Sequence, residues 1–378
     1  MALHLRWHGA PLRGLTMRCS LRILWVLVFV CCLAQPCLAG PTTLVWAPSP
    51  DSTVTGYIVS VGTSPGVYTQ TFDVGPTTTW VPPALSPAQT YYFSVQAYDQ
   101  FGTRSDYSNS VILPANARLV PDFGTDGTAD IVWQHPQGWL SVWHMQKEQL
   151  GSAVLLQPAQ VTDPNWQVVA IADIDGDGKT DLIWRHQTSG LIAAWLMNGT
   201  VLQRDVLLTP STVSDPRWKI VATADMDNDG HVDLIWQHDG GTVAAWLMNG
   251  TVLKDSVLLS PSSVPAGTWR IVGAADLDQD GKADLLWQHP DGWLAAWLMD
   301  GVVMRDSPLL NPQKVGGGTS WAIRGVADFN QDGRPDLLWQ HVDGWISIWY
   351  MDGLSLVDAV LVNPSRVPPG TWKIVGPR

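Results

Sequence analysis

Five short acidic segments hold the residues best placed to do chemistry. They read Asp122-Phe-Gly-Thr-Asp126-Gly127, Asp173-Ile-Asp175-Gly-Asp177-Gly178, Asp225-Met-Asp227-Asn-Asp229-Gly230, Asp276-Leu-Asp278-Gln-Asp280-Gly281 and Asp328-Phe-Asn330-Gln-Asp332-Gly333. Three residues after each of these glycines stands one more carboxylate: Asp130, Asp181, Asp233, Asp284 and Asp336. Successive copies start 51 or 52 residues apart. Carboxylates at alternate positions around a sharp glycine turn are what a hard cation requires of a short loop.

In the second copy Asp173, Asp175, Asp177 and Asp181 fall at positions 1, 3, 5 and 9, and the carbonyl of Lys179 can serve position 7. The pattern matches the front of an EF-hand loop, but Trp184 stands where a closing Glu would be. Carboxylate and carbonyl oxygens in this number suit calcium better than magnesium, which keeps its waters. Zinc would call for Cys or His. The copies are unequal. The second, third and fourth carry four Asp each, the fifth has Asn330 at position 3, and the first has Gly124 there and should bind most weakly. A structural role for the calcium is expected, because carboxylates packed this closely repel one another when empty.

Composition fits an exported protein. Arg6, Arg13, Arg18 and Arg22 precede an apolar run from Ile23 to Ala34, and Cys37-Leu-Ala39 ends in small residues. This is the layout of a signal peptide over residues 1–39, and its apolar run is too short to span a bilayer. All four cysteines lie in that segment, so the mature chain would have no disulfide and would need another source of stability. Removing the segment takes the net charge from −12 to −16, which argues against a nucleic-acid partner. Of the 34 acidic residues only Glu148 is Glu, and 18 Asp sit in the five loops, so the negative charge is gathered where cations would bind.

The elements that must position these loops are β-strands. From about residue 118 to 378 each repeat has the same order. A segment such as Trp166-Gln-Val-Val-Ala-Ile-Ala172 leads into the acidic loop; Asp181-Leu-Ile-Trp184-Arg-His186 follows, then Leu191 to Gly199, then Val201 to Leu208 and a Pro-rich loop. Four short strands per period of about 50 residues indicate a β-propeller. No segment holds a sustained helical period, and Gly or Pro recurs every 8–12 residues. Trp166, Trp218, Trp269, Trp321 and Trp372 open successive units, whereas the first repeat has Ala115 at that place. The strand at Trp372–Val375 is therefore expected to complete the first blade and close a five-bladed ring without an open edge.

Residues 41–114 form a separate all-β unit. Leu44–Trp46, Gly56–Val61 and Tyr91–Ala97 alternate with period two, and Leu85-Ser-Pro87-Ala-Gln-Thr-Tyr91 is similar to the tyrosine corner of a sandwich domain. The unit resembles a fibronectin type III domain, which implies a spacer or adhesive module, with Pro114–Ala117 as linker. The repeats resemble FG-GAP-like (VCBS) repeats, on the motifs Ala172-Asp-Ile-Asp-Gly-Asp-Gly-Lys-Thr-Asp181-Leu-Ile-Trp184 and Ala194-Trp-Leu-Met-Asn-Gly199 and their copies. That family includes integrin-type propeller blades and some fungal lectins. The resemblance implies a calcium-binding propeller for recognition.

Residues present in every copy point to shared packing. Trp133, Trp184, Trp236, Trp287 and Trp339 form one register; Trp143, Trp195, Trp246, Trp297 and Trp349 form a second. His135, His186, His238, His289 and His341 recur two residues after a Trp and are expected to pack on a neighbouring Trp and donate one hydrogen bond to a turn. Positions that differ between copies are better ligand candidates. Trp139, Trp293 and Trp345 follow a turn glycine where the other two repeats have Leu191 and Thr242. Each could stack on a pyranose ring while a turn amide or carboxylate (Gln137, Asp291, Asp343) fixes a hydroxyl.

No nucleophile elbow, zinc-ligand spacing or isolated carboxylate pair suggests an enzyme. The expectation is a monomeric, secreted or cell-surface recognition protein that binds glycans. The rival is a protein-binding extracellular scaffold whose calcium is purely structural.

Overall fold

The computed structural model describes residues 27–29, 44–64, 66–82, 91–113, 121–124, 126–316 and 320–377. The described residues are all-β, with no helix long and apolar enough to cross a membrane. The chain divides into two compact units, Met1–Ala117 and Arg118–Arg378.

In the first unit Val54–Gly62 lies between Gln70–Gly75 and Tyr91–Asp99, and Val111–Leu113 adds to the far edge. A second sheet places Leu44–Ala47 between Leu27–Phe29 and Thr79–Trp80. One core joins the two, because Leu44 and Trp46 bury against Tyr57, Val59, Val61, Phe93 and Val95. Trp46 meets Tyr57 edge-on at 5.6 Å. The rest of the expected signal segment, the corner before Tyr91 and the linker at 114–117 lie outside the described residues.

The second unit is a closed ring of strands. Each repeat is an antiparallel meander; in the second it comprises Trp166–Ala172, Asp181–His186, Leu191–Asn198 and Val201–Thr212. The outermost strand is longer than the sequence suggests. It passes Leu208 and runs through Pro210 to Thr212, where the reading above places a loop. Proline is tolerated there because this is the edge strand, and the Thr209 amide bonds to the Thr251 carbonyl of the next repeat at 2.9 Å.

The first strands stand side by side around the ring: Trp166–Ala172 beside Trp218–Ala224, then Arg270–Ala275, Trp321–Ala327, and Lys373–Gly376, which returns to Trp166–Ala172. Lys373–Gly376 pairs antiparallel with Ile131–Gln134 of the first repeat, as the Trp372 register implies. The core lies between repeats. Val132, Leu140 and Val142 of the first pack with Val168, Trp184 and Met197 of the second. Ala327, Phe329 and Ile348 near the C-terminus pack with Ile131, Trp133 and Met145 at the start.

Candidate functional site

The acidic loops connect the first and second strands of the second to fifth repeats and in the first repeat lead into Ile131–Gln134, so the ring's own hydrogen bonding positions them. The four Asp positions of a loop divide into three kinds. The last, at Asp130, Asp181, Asp233, Asp284 and Asp336, is buried and pins the loop to the sheet. In the second repeat one oxygen of Asp181 accepts the Ile174 amide at 3.1 Å and the other the Met197 amide at 2.8 Å. The same pair of bonds recurs at Asp233, Asp284 and Asp336. Burial pushes Asp181, Asp233, Asp284 and Asp336 up to about 7.

The first Asp folds the loop around itself. Asp173 accepts the amides of Gly176, Asp177 and Gly178 at 2.8, 3.0 and 2.8 Å. Asp225, Asp276 and Asp328 take the corresponding amides in their loops. Burial raises Asp225 and Asp276 to about 6. The middle positions, Asp175, Asp177, Asp227, Asp229, Asp278, Asp280, Asn330 and Asp332, lie nearer solvent.

Among the described residues, three loops bring three carboxylates within 4.8 Å of one another: Asp173, Asp175 and Asp181; Asp225, Asp227 and Asp229; and Asp276, Asp278 and Asp284. These are the loops with four Asp. The donors are all hard oxygens, and they fit a calcium ion. The first loop is built differently. Nδ1 of His144 stands 2.9 Å from Asp130 and crowds Gly124, since a Cβ added there would lie 3.0 Å from it. Asp126 bonds the amide of Thr128, and Oδ1 of Asp122 is buried without a partner.

The recurrent aromatics form a packed scaffold. Trp184 stacks on Trp195 at 4.8 Å with planes tilted 51°, and the other four repeats hold the same pair at 4.6 to 4.8 Å. Each recurrent His sits on a blade-opening Trp, with His135 on Trp372 from the far end of the chain. At the turn the ring accepts where the sequence implies a donor: Nδ1 of His238 takes the Gly240 amide at 2.8 Å, and the other four rings each accept a turn amide in the same way. This fixes the proton of a neutral ring on Nε2.

Trp139, Trp293 and Trp345 are 37, 36 and 36% exposed. The ring of Trp293 carries Lys314 Nζ at 5.1 Å from its centroid, and that of Trp345 carries the Arg366 guanidinium at 5.3 Å. One face of Trp293 and one face of Trp345 are therefore engaged. The three do not converge, as each stands at its own hairpin.

A cleft that sequence reasoning missed opens in the second repeat. It holds about 230 Å³ and is lined by Val161, Trp166, Trp184, Trp195, Asp205 and Leu207. The indole N–H of Trp184 is buried without an acceptor, as are those of Trp133, Trp236, Trp287 and Trp339 in the other repeats, so it does not distinguish this cleft. Asp205 pairs across strands with Trp195, and Ser256, Ser307 and Ala359 replace it in later repeats. That single carboxylate among repeats was the available signal.

Residues 122–184 and 225–287 match the model of the FG-GAP-like repeat. No curated protein matches the sequence. Among solved structures, Chaetomium thermophilum Raptor is similar at 13% identity and a TM-score of 0.33, over 60% of this chain. This chain spans 20% of the Raptor chain. The dihydro-heme d1 dehydrogenase NirN, in complex with DHE, is similar at 12% identity and a TM-score of 0.32, over 86% of this chain and 76% of its own. Neither likeness is near enough to bear on function. FG-GAP-like repeats and a closed ring of many strands together fit a repeat β-propeller.

Proposed function

We propose that this chain is an exported, calcium-binding recognition protein whose ligand is a carbohydrate. The ring is read as a five-bladed propeller, and residues 41–114 as a fibronectin type III spacer. Support for the count comes from the five first strands set side by side, and for the spacer from two sheets sharing one core. Calcium would be held by Asp173, Asp175, Asp177 and Asp181 and their counterparts in the third, fourth and fifth repeats. When bound, it supplies positive charge that relieves the repulsion among buried carboxylates.

The observation that carries the glycan reading is the cleft of the second repeat. Trp166 and Trp195 line it and offer indole surfaces for stacking, and Asp205 accepts from hydroxyls. A volume of about 230 Å³ lies below the ~300–1,000 Å³ of drug-sized sites and suits one sugar ring. Trp139, Trp293 and Trp345 are further weak platforms, and several weak sites raise avidity together.

A protein-binding scaffold is the second reading. It is favoured by an exposed leucine at one register of every repeat: Leu155, Leu207, Leu258, Leu309 and Leu361. A glycan array probed with the protein and with its Trp195→Ala and Asp205→Ala variants separates the two. Sugar binding lost in both variants supports the cleft. A folded protein with no glycan hits transfers the weight to the leucine belt.

A further inference from the structure

Two acidic loops already hold a cation of the protein's own. Nζ of Lys254 stands 2.8 Å from Asp227 and 2.7 Å from Asp229. Nη2 of Arg305 stands 2.8 Å from Asp278 and 2.9 Å from Asp280. Both come from the outermost strand of their own repeat, Val252–Ser263 and Val303–Asp306. Both bridge loop positions 3 and 5. The same place in the strand is Gly151 in the first repeat, Gln203 in the second and Val357 in the fifth, none of which carries a charge. The second loop has only Lys179 on Asp177, within the loop, which leaves Asp173, Asp175 and Asp181 without a basic partner.

We propose that Lys254 and Arg305 are built-in competitors that divide the loops into two classes of calcium site. This rests on the reading that the loops bind calcium. An ammonium or guanidinium hydrogen-bonded to two carboxylate oxygens occupies the lone pairs a divalent ion would use, and like charges at such separations repel. Calcium entering the third or fourth loop must first displace the side chain. The second and fifth loops meet no such rival. The tethered cation also partly neutralises its loop without metal, so the third and fourth loops hold their shape in low calcium while the second depends on the ion. The protein is thereby stable over a range of calcium concentrations and fully loaded only at the upper end.

The test is calorimetric calcium titration of the full chain and of its Lys254→Val, Arg305→Val and Val357→Lys variants, with thermal unfolding in chelator and in calcium. Valine stands at this position in the fifth repeat, so the fold accepts it. Each Val substitution is expected to move one site from the weak class to the tight class, by roughly tenfold in affinity. It should also lower the melting temperature in chelator and enlarge the rise on adding calcium. Val357→Lys should do the reverse at the fifth loop. Calcium binding with the same affinities in all four proteins, or weaker binding in the Val variants, overturns the competitor role alone. No calcium binding in the unsubstituted protein overturns the calcium reading along with it.

Discussion

Gln340 holds the last repeat to the C-terminal strand with both ends of its amide. Its Nε2 donates to the Trp372 carbonyl at 2.9 Å, and its Oε1 accepts the Ile374 amide at 3.2 Å. Gln134, Gln237 and Gln288 make the same two bonds to the following repeat, at Trp166 and Val168, Trp269 and Ile271, and Trp321 and Ile323. Only the junction of the second and third repeats lacks this clasp, because Arg185 stands there. A guanidinium cannot accept a hydrogen bond. Arg185 instead lies over the Trp236 ring at 5.1 Å, makes long bonds to the Val213 and Asp215 carbonyls, and leaves Nη1 buried without a partner.

Removing a clasp should therefore cost more than a surface change. Gln340→Leu leaves buried backbone groups unpaired and is expected to destabilise the ring by about 1–3 kcal/mol in urea unfolding. Arg185→Gln should restore the missing clasp and stabilise by about 1 kcal/mol. A loss of stability in Arg185→Gln would mean that its contact with Trp236 outweighs the clasp.

The ring closes at a second point as well. The hydroxyl of Tyr350 in the last repeat donates to Glu148 in the first at 2.8 Å, and Asn363 bonds the Glu148 carbonyl and the Gln149 side chain. Tyr350→Phe and Glu148→Ala should each cost on the order of 1 kcal/mol. Their double variant should cost less than the sum, since either change removes the same bond. Additive losses would show that the two residues act separately.

The loop carboxylates set a pH dependence whose sign is fixed by burial. Asp181, Asp233, Asp284 and Asp336 are raised to about 7 in the fold, against about 4 in an unfolded chain. Between those values the metal-free fold binds more protons than the unfolded chain, so its stability falls as pH rises from about 4 to 7. Calcium favours the ionised form, and its stabilising effect should grow over the same range. Melting temperatures at pH 5 and pH 8, each in chelator and in calcium, check this. A calcium effect that shrinks as pH rises would contradict it.

The first loop should be convertible. Gly124→Asp supplies the missing carboxylate but meets His144, so it is expected to work only with His144→Leu, the residue type found at the matching Leu196, Leu247 and Leu298. The double variant should bind one calcium more than the parent by calorimetric titration. Unchanged stoichiometry would place the obstacle elsewhere in the loop.

What the sequence made legible was local. The Asp loops, their inequality and the strand order within a repeat all lie within one period of about 50 residues, where spacing alone carries the information. The Trp372 register also reached across the chain, because a missing Trp at one end and a spare one at the other point to each other. The Gln clasps were not seen, although Gln follows the buried Trp in four repeats, since their partners are backbone groups one repeat away. The split of the Asp residues into pins and surface donors was equally hidden. It depends on the Met197 amide and its counterparts, brought to the loop by the third strand. Lys254 and Arg305 looked like ordinary strand residues, because nothing in their spacing says that the strand returns over the loop.

The most direct test of the account is scanning calorimetry of the full chain at pH 7.5, first in chelator and then in saturating calcium. The ring's transition is expected to move to a clearly higher temperature in calcium, with magnesium at the same concentration giving a much smaller shift. An unchanged transition in calcium would show that the acidic loops are turns held by their own hydrogen bonds, and that the ring is stable without an ion.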